Sequence, residues 1–225
     1  MRYFTRRKVP IVLTELMSKH NPLPRWEHWG KQFAANRQNN KSFPFQWPEV
    51  EGTKLNHLLL DDLKGQTDKH CSYCDNFPLT KGNYSIDHFK PKKDFHVLVC
   101  AWENLYYACG HCQAPKLEKF DPLLLRPDEE NFNFHDYFEV NVYTQQISIL
   151  PKLTSGSRAH QQAMQTITLL DLNNTTLVQC RKREFERYFN RPRPELVADQ
   201  ADPLKLPEPD AEELAEFAFR FMFDF

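Results

Sequence analysis

Two Cys-x-x-Cys pairs, Cys71-Ser-Tyr-Cys74 and Cys109-Gly-His-Cys112, constrain this chain more than any other feature. Tetrahedral zinc takes four soft thiolates, and two such pairs a few dozen residues apart supply them as a zinc ribbon does. The ion clips two stretches of chain together. Between the pairs lie Ile86-Asp87-His88-Phe-Lys90-Pro and Trp102-Glu-Asn104-Leu, and the second pair runs on into Gln113-Ala-Pro-Lys116. A ribbon alone is a scaffold. A ribbon enclosing Asp-His and Asn holds residue types suited to metal-assisted hydrolysis.

The remaining cysteines, Cys100 and Cys180, are too few for a disulfide framework and read as small buried hydrophobes in a reducing compartment. At 225 residues the chain can bury one substantial core, or one catalytic module with helical additions. The basic start, Met1 to Pro10, is followed by only seven residues before Ser18-Lys19-His20, too short for a secretory core or a membrane span. The expectation is a soluble, cytoplasmic protein. A net charge of −1 argues against a globally basic nucleic-acid binder, but the charge is uneven. Residues 1–48 carry nine Lys/Arg against two Glu, residues 181–193 carry six basic against two acidic, and the tail from Glu195 is acidic. Each run alone reads as a solvated face; beside a hydrolytic motif the basic runs become candidate phosphate-contact zones.

Periodicity and breakers organise the rest. Ile11 to His20 suits a short helix ended by Pro22 and Pro24, and Trp26, Trp29 and Phe33 recur at helical spacing. Phe43-Pro-Phe-Gln-Trp-Pro48 reads as a loop with aromatic anchors. Thr53 can cap a helix bearing Leu55, Leu58, Leu59 and Leu63, which Gly65 ends. Tyr84 to Phe89 reads as a strand, Lys90 to Lys93 as a turn, and Phe95 to Ala101 as a second strand. A short helix opens at the second knuckle, with Pro115 in its first turn. Tyr137–Tyr143 and Gln146–Leu150 form a hairpin, Ser157 caps a helix to Leu170, and Thr175 starts another. The resulting class is α+β, in four parts: a helical region 1–70, a metal core 71–120, a hairpin with helices 121–190, and a proline-rich acidic linker with a phenylalanine-rich tail 191–225. In that tail Phe217, Phe219, Phe221, Phe223 and Phe225 alternate strictly, which is a strand signal. Such an apolar row packs on the chain's own core or docks on a partner; the expectation is a partner, reached across the linker.

Cys-x-x-Cys, Asp-His, Asn and Cys-x-x-Cys-x-x-x-Lys, in this order, resemble the HNH (ββα-metal) endonuclease superfamily in its zinc-stapled branch. Met1-Arg2-Tyr-Phe, Ile86 to Lys92, Phe120-Asp121-Pro122 and Thr166 to Asn173 are similar to the retron-associated or Septu-type HNH nucleases, the PtuB family. The resemblance implies a zinc-stapled ββα-metal core embedded in helices and a structural zinc on Cys71, Cys74, Cys109 and Cys112. It further implies a DNA endonuclease of anti-phage defence, working with a partner ATPase of the ABC or SMC-like kind. His88 is the natural general base, because imidazole titrates near neutral pH. The resemblance makes Asp87 a ligand of a catalytic Mg²⁺ or Mn²⁺ and gives Asn104 the orientation of the loop or of His88. At the family's third position, normally His or Asn, this chain has Gln113. Its amide oxygen can ligate a hard cation with a longer reach, and His111 is the alternative. Lys116, three residues on, with Lys90, Lys92 and Lys93, are candidates for phosphate contact. Two rival functions share parts of this pattern: a non-catalytic zinc module that binds nucleic acid or a partner, and a zinc deaminase. The deaminase requires His-x-Glu, which the sequence lacks.

Overall fold

A computed structural model describes residues 1–18, 20–190 and 211–223. The elements run α1 (Ile11–Thr14), β1 (Leu16–Ser18), β2 (Asn21–Pro24), α2 (Arg25–Asn39), β3 (Glu49–Val50), β4 (Thr53–Lys54), α3 (Leu55–Gly65), β5 (Tyr84–His88), β6 (Leu105–Cys109), α4 (Gly110–Lys116), β7 (Phe138–Val140), β8 (Ile147–Ile149), α5 (Arg158–Leu169), α6 (Thr175–Phe189) and α7 (Ala211–Ala215). The class is α+β, with four two-stranded antiparallel sheets among the described residues. Among the described residues no helix is long and apolar enough to cross a membrane.

The sheet β5–β6 organises the rest. It pairs in register from Tyr84↔Cys109 to His88↔Leu105, and every residue of β6 is buried. Side chains of a strand alternate between faces, so a fully buried strand needs cover on both. Leu105 and Tyr107 enter one cluster with Leu13, Trp29, Phe33 and the α3 leucines Leu55, Leu59 and Leu63. Tyr106 and Ala108 enter another, with the four knuckle cysteines, Met1, Phe4, Phe134, Phe138 and the tail phenylalanines. The four sequence-defined parts therefore share two cores, and the candidate site lies on the sheet between them.

Several elements differ from the expectation. Residues 95–101 do not pair as a strand. They make a 3₁₀ turn at His96–Leu98, with Leu98 N–H bonded to the Phe95 carbonyl and Ala101 N–H to that of Leu98, while the next apolar run becomes β6. The turn lies hard against α2 at Gly30, where a Cβ would sit 2.2 Å from the Val97 carbonyl oxygen, so only glycine permits this approach. The first helix is a single turn, because the segment after Glu15 pairs with Asn21–Pro24 instead. Thr53 belongs to the β3–β4 hairpin, whose turn residues Glu51 and Gly52 both have positive φ, and Lys54 stands at the start of α3. Because α4 begins at Gly110, Pro115 falls in its second turn. The β7–β8 hairpin closes through a longer loop, in which Gln145 N–H bonds the Asn141 carbonyl. The caps Ser157 and Asn174 start α5 and α6 by accepting from His160 and Leu177 N–H.

The tail gives the largest correction. Phe217, Phe219, Phe221 and Phe223 are buried in the chain's own core rather than presented to a partner, and Arg220–Met222 form a 3₁₀ turn rather than a strand. Phe219 takes a left-handed conformation (φ 55°) and donates its N–H to the Asp75 carbonyl. The interruption of the row explains the geometry: Arg220 turns inward to the first knuckle. Its guanidinium grips Asp75 through Nη2–Oδ1 (2.7 Å) and Nε–Oδ2 (3.1 Å), and its Nη1 reaches Asp68 at 2.8 Å. The expected linker at 191–210, and Phe225, lie outside the described residues.

Replacing Arg220 with alanine leaves the buried Asp75 carboxylate without its partner, a change that costs about 3–5 kcal/mol. The expected result is a denaturation midpoint lowered accordingly, together with faster loss of metal from the knuckle to a chelator. An unchanged midpoint and release rate would mean that the tail does not brace the knuckle.

Candidate metal centre and adjoining cleft

The two knuckles meet because β6 carries Cys109 to the end of the sheet opposite Tyr84, while Tyr107 accepts the Ser72 N–H (2.8 Å) and ties the first knuckle to the strand. All four cysteines are buried, and their sulfurs lie within 4.8 Å of one another. Cys74 Sγ and Cys109 Sγ are 3.6 Å apart, against about 3.8 Å between ligands of a tetrahedral zinc thiolate site with bonds of about 2.3 Å. Cys109 N–H donates to Cys71 Sγ at 3.3 Å. Burial pushes the Cys74 thiol well up, and hydrogen bonding with Cys109 and the other thiols, followed by burial, does the same to Cys112. Burial opposes ionisation of Cys71 too, yet hydrogen bonds from the other three thiols bring it well below its ordinary value. A divalent cation offers the buried thiols the counter-charge that burial denies them. The quartet can hold a metal such as zinc.

Asp87 and His88, adjacent on β5, point to opposite faces, as period two requires. Asp87 turns toward α4. Its Oδ2 accepts from Tyr73 Oη (2.6 Å) and pairs with Lys116 Nζ (2.8 Å), a lysine with no exposed surface that also donates to the His88 carbonyl (2.7 Å). Burial raises the Asp87 carboxyl despite Lys116, and burial followed by the Asp87 charge raises the Tyr73 phenol well above its ordinary value, so Tyr73 stays a donor.

His88 faces the α2–α3 side and is 6% exposed. Its Nε2 lies 2.9 Å from the Val99 carbonyl, which can only accept; Nε2 therefore carries the proton, and Nδ1 is left with the lone pair. Trp47 stacks on the imidazole (5.5 Å, 25°) and Phe45 meets it edge-on (5.6 Å). Burial, helped by the Lys92 charge, lowers its pKa to about 3, so the ring is neutral at physiological pH.

Asn104 has no spare polar atom. Its Oδ1 accepts the Lys90 N–H (2.8 Å), and Nδ2 donates to the Lys90 and Leu98 carbonyls (3.1 Å each). It clamps both ends of the loop that presents Val99 to His88. Gln113 is likewise engaged, with Oε1 accepting from Ser85 Oγ (2.6 Å) and Nε2 donating to the Ala108 carbonyl (2.6 Å). His111 is exposed on the outer side of the knuckle. Lys90 Nζ lies 5.5 Å from the Phe95 ring centre, Lys92 Nζ lies 5.3 Å from that of Phe45, and Lys93 is exposed. A cleft of about 530 Å³ joins several of these, lined by Ser85, Asp87, His88, Lys92 and Gln113. Lys116 is sealed beneath it and touches no solvent.

Of the donors Asp87 and Gln113, the carboxylate's Oδ2 already holds an ammonium and a phenol hydroxyl, and both ends of the amide are hydrogen-bonded, so a hard divalent ion would have to bind through Asp87 Oδ1 or displace one of these partners. Sequence reasoning missed Tyr73, Ser85 and Trp47; Tyr73, between the first two cysteines, was the one with a positional signal. No family model and no curated protein matches this chain.

Proposed function

We propose that this chain is an HNH-type endonuclease that hydrolyses phosphodiester bonds of DNA, with His88 as its general base. The observation that carries the reading is the state of His88: a neutral imidazole, held through Nε2–H by a main-chain carbonyl so that Nδ1 keeps its lone pair, in a residue that lines a cleft with Lys92. In the proposed reaction Nδ1 takes a proton from the attacking water as its oxygen bonds to phosphorus, the P–O3′ bond breaks, and the leaving 3′ oxygen takes a proton from solvent. Lys92 faces the anionic phosphodiester. A pKa of about 3 makes the free ring a weak base, but a phosphate bound in the cleft brings a negative charge that raises it. Asn104 acts as a positioning residue, and the cysteine cluster fixes the sheet to α4. A defence setting, a partner ATPase and a cytoplasmic location rest on the sequence resemblance.

One observation favours a second reading. Lys116 occupies the Asp87 carboxylate that a catalytic Mg²⁺ or Mn²⁺ would need, which suits a non-catalytic zinc module that binds nucleic acid or a partner. Nicking of supercoiled plasmid by zinc-loaded protein, with Mg²⁺, with Mn²⁺ and with neither, separates the two. The expected result is nicking that Gln113→Asn or Gln113→His retains or raises and Gln113→Ala reduces. Three variants indistinguishable from wild type would place the ligand elsewhere, with His111 next. No cutting by any variant under any metal would establish the binding module.

A further inference from the structure

The loop Phe43–Pro48 does more than cover His88. Together with α2 it walls a groove of about 390 Å³ lined by the rings of Trp29, Phe33, Phe43, Phe45 and Trp47. We propose that this groove is a subsite for an unpaired nucleobase, placed next to the scissile phosphate; the placement rests on the nuclease reading above.

Three features carry the inference. First, the rings form one continuous path to the candidate base: Phe33 meets Phe45 edge-on (5.3 Å, 82°), Phe45 meets Trp47 (5.1 Å, 75°), and Trp47 stacks on His88. Second, the lining is mixed. Gln32 and Gln46 stand exposed at its rim, and among the described residues neither side-chain amide has a hydrogen-bond partner. An amide offers both a donor and an acceptor, as the edge of a base does. A groove made for an aliphatic peptide would not need them. Third, Lys92 lies on the border, with its ammonium 5.3 Å from the Phe45 ring and its stem on the cleft. A cation there suits the phosphate that joins a base in the groove to the bond beside His88.

Phe43, at the mouth, is 37% exposed, and its carbonyl is anchored to α2 by Arg37 Nη1 (3.3 Å). A ring held in this way can stack on an incoming base without first being ordered. A base in a duplex cannot enter without leaving its stack, so the groove selects unpaired strands and frayed ends.

The test uses the full zinc-loaded chain and three probes: a deoxyadenylate 12-mer, its ribo counterpart and a hairpin duplex of equal length. Binding is followed by anisotropy and by quenching of tryptophan fluorescence. The expected result is at least tenfold tighter binding of a single strand than of duplex, with quenching. Phe43→Ala should weaken it by about 5- to 150-fold, the range for one stacked base, and Phe43→Tyr should restore it with zinc content unchanged. Loss on Phe43→Ala with either sugar supports the subsite, and the better sugar identifies the strand. Equal binding of duplex, or Phe43→Ala behaving as wild type, overturns it. So does self-association that Phe43→Ala abolishes, because the occupant is then a second copy. Single-strand binding without any nicking would sink the nuclease reading and leave the subsite standing; nicking without strand preference would do the reverse.

Discussion

Cys112→Ser is expected to leave little soluble, folded protein. Zinc binding to four thiolates contributes on the order of 10 kcal/mol to a small domain, while whole domains are stable by only about 5–15 kcal/mol. Serine at 112 offers a hard hydroxyl in a site that is fully buried among three thiols. The cluster also joins the sheet to α4 and, through Asp75, to the tail, so the loss would spread beyond the knuckle. Metal analysis should return one zinc per wild-type chain, and stripping it should lower the melting temperature steeply. Soluble wild-type protein that is folded yet carries no zinc would refute the structural role of the quartet.

His88→Ala is expected to reduce nicking by about 10²–10⁴-fold with fold and zinc content intact. Because burial holds the imidazole of the free protein near pKa 3, wild-type kcat/KM should lack an acid limb near pH 6.5. Stability should carry one instead. The folded pKa lies below the unfolded value of 6.5, so the unfolded chain binds the extra proton, and stability is lost as pH falls from about 6.5 toward 3. From pH 7 to pH 5 wild type should lose about 2 kcal/mol more than a His88→Phe variant, measured by denaturant unfolding. Nicking by His88→Ala at the wild-type rate would remove His88 from the mechanism, whatever the unfolding data show.

The cysteine quartet was legible because ligand type and spacing are local and chemically specific. Strand β5 was legible too, since Tyr84 and Ile86 alternate with Ser85 and Asp87 in a short run between Gly82 and Pro91. Its partner was misplaced. Residues 95–101 and 105–109 are both apolar, and period alone does not say which one pairs. Long-range contacts decide: Gly30 admits Val97 against α2, and Asn104 bonds the loop at Lys90 and Leu98, leaving Leu105 to begin the strand. The phenylalanine alternation is equally ambiguous, because nothing in the local pattern ties Arg220, in mid-row, to Asp75, its partner 145 residues away. The stacking of Trp47 on His88 had no sequence signal, as the two lie in separate elements. Strand period puts Asp87 on the face opposite His88. Its pairing with Lys116 was beyond the pattern, because i+3 spacing from Gln113 says nothing about where the ammonium ends.

The brace between Arg220 and Asp75 spans 145 residues of chain. During synthesis at about 5–20 residues per second, the first knuckle leaves the ribosome roughly 7–30 s before its brace exists. A chain halted short of Phe217 has all four cysteines but lacks the guanidinium that pairs with the Asp75 carboxylate beside Cys74. Truncated products would thus keep every metal ligand without the ion pair that closes the knuckle from the far end of the chain, and should yield their metal to a chelator faster than the full chain does.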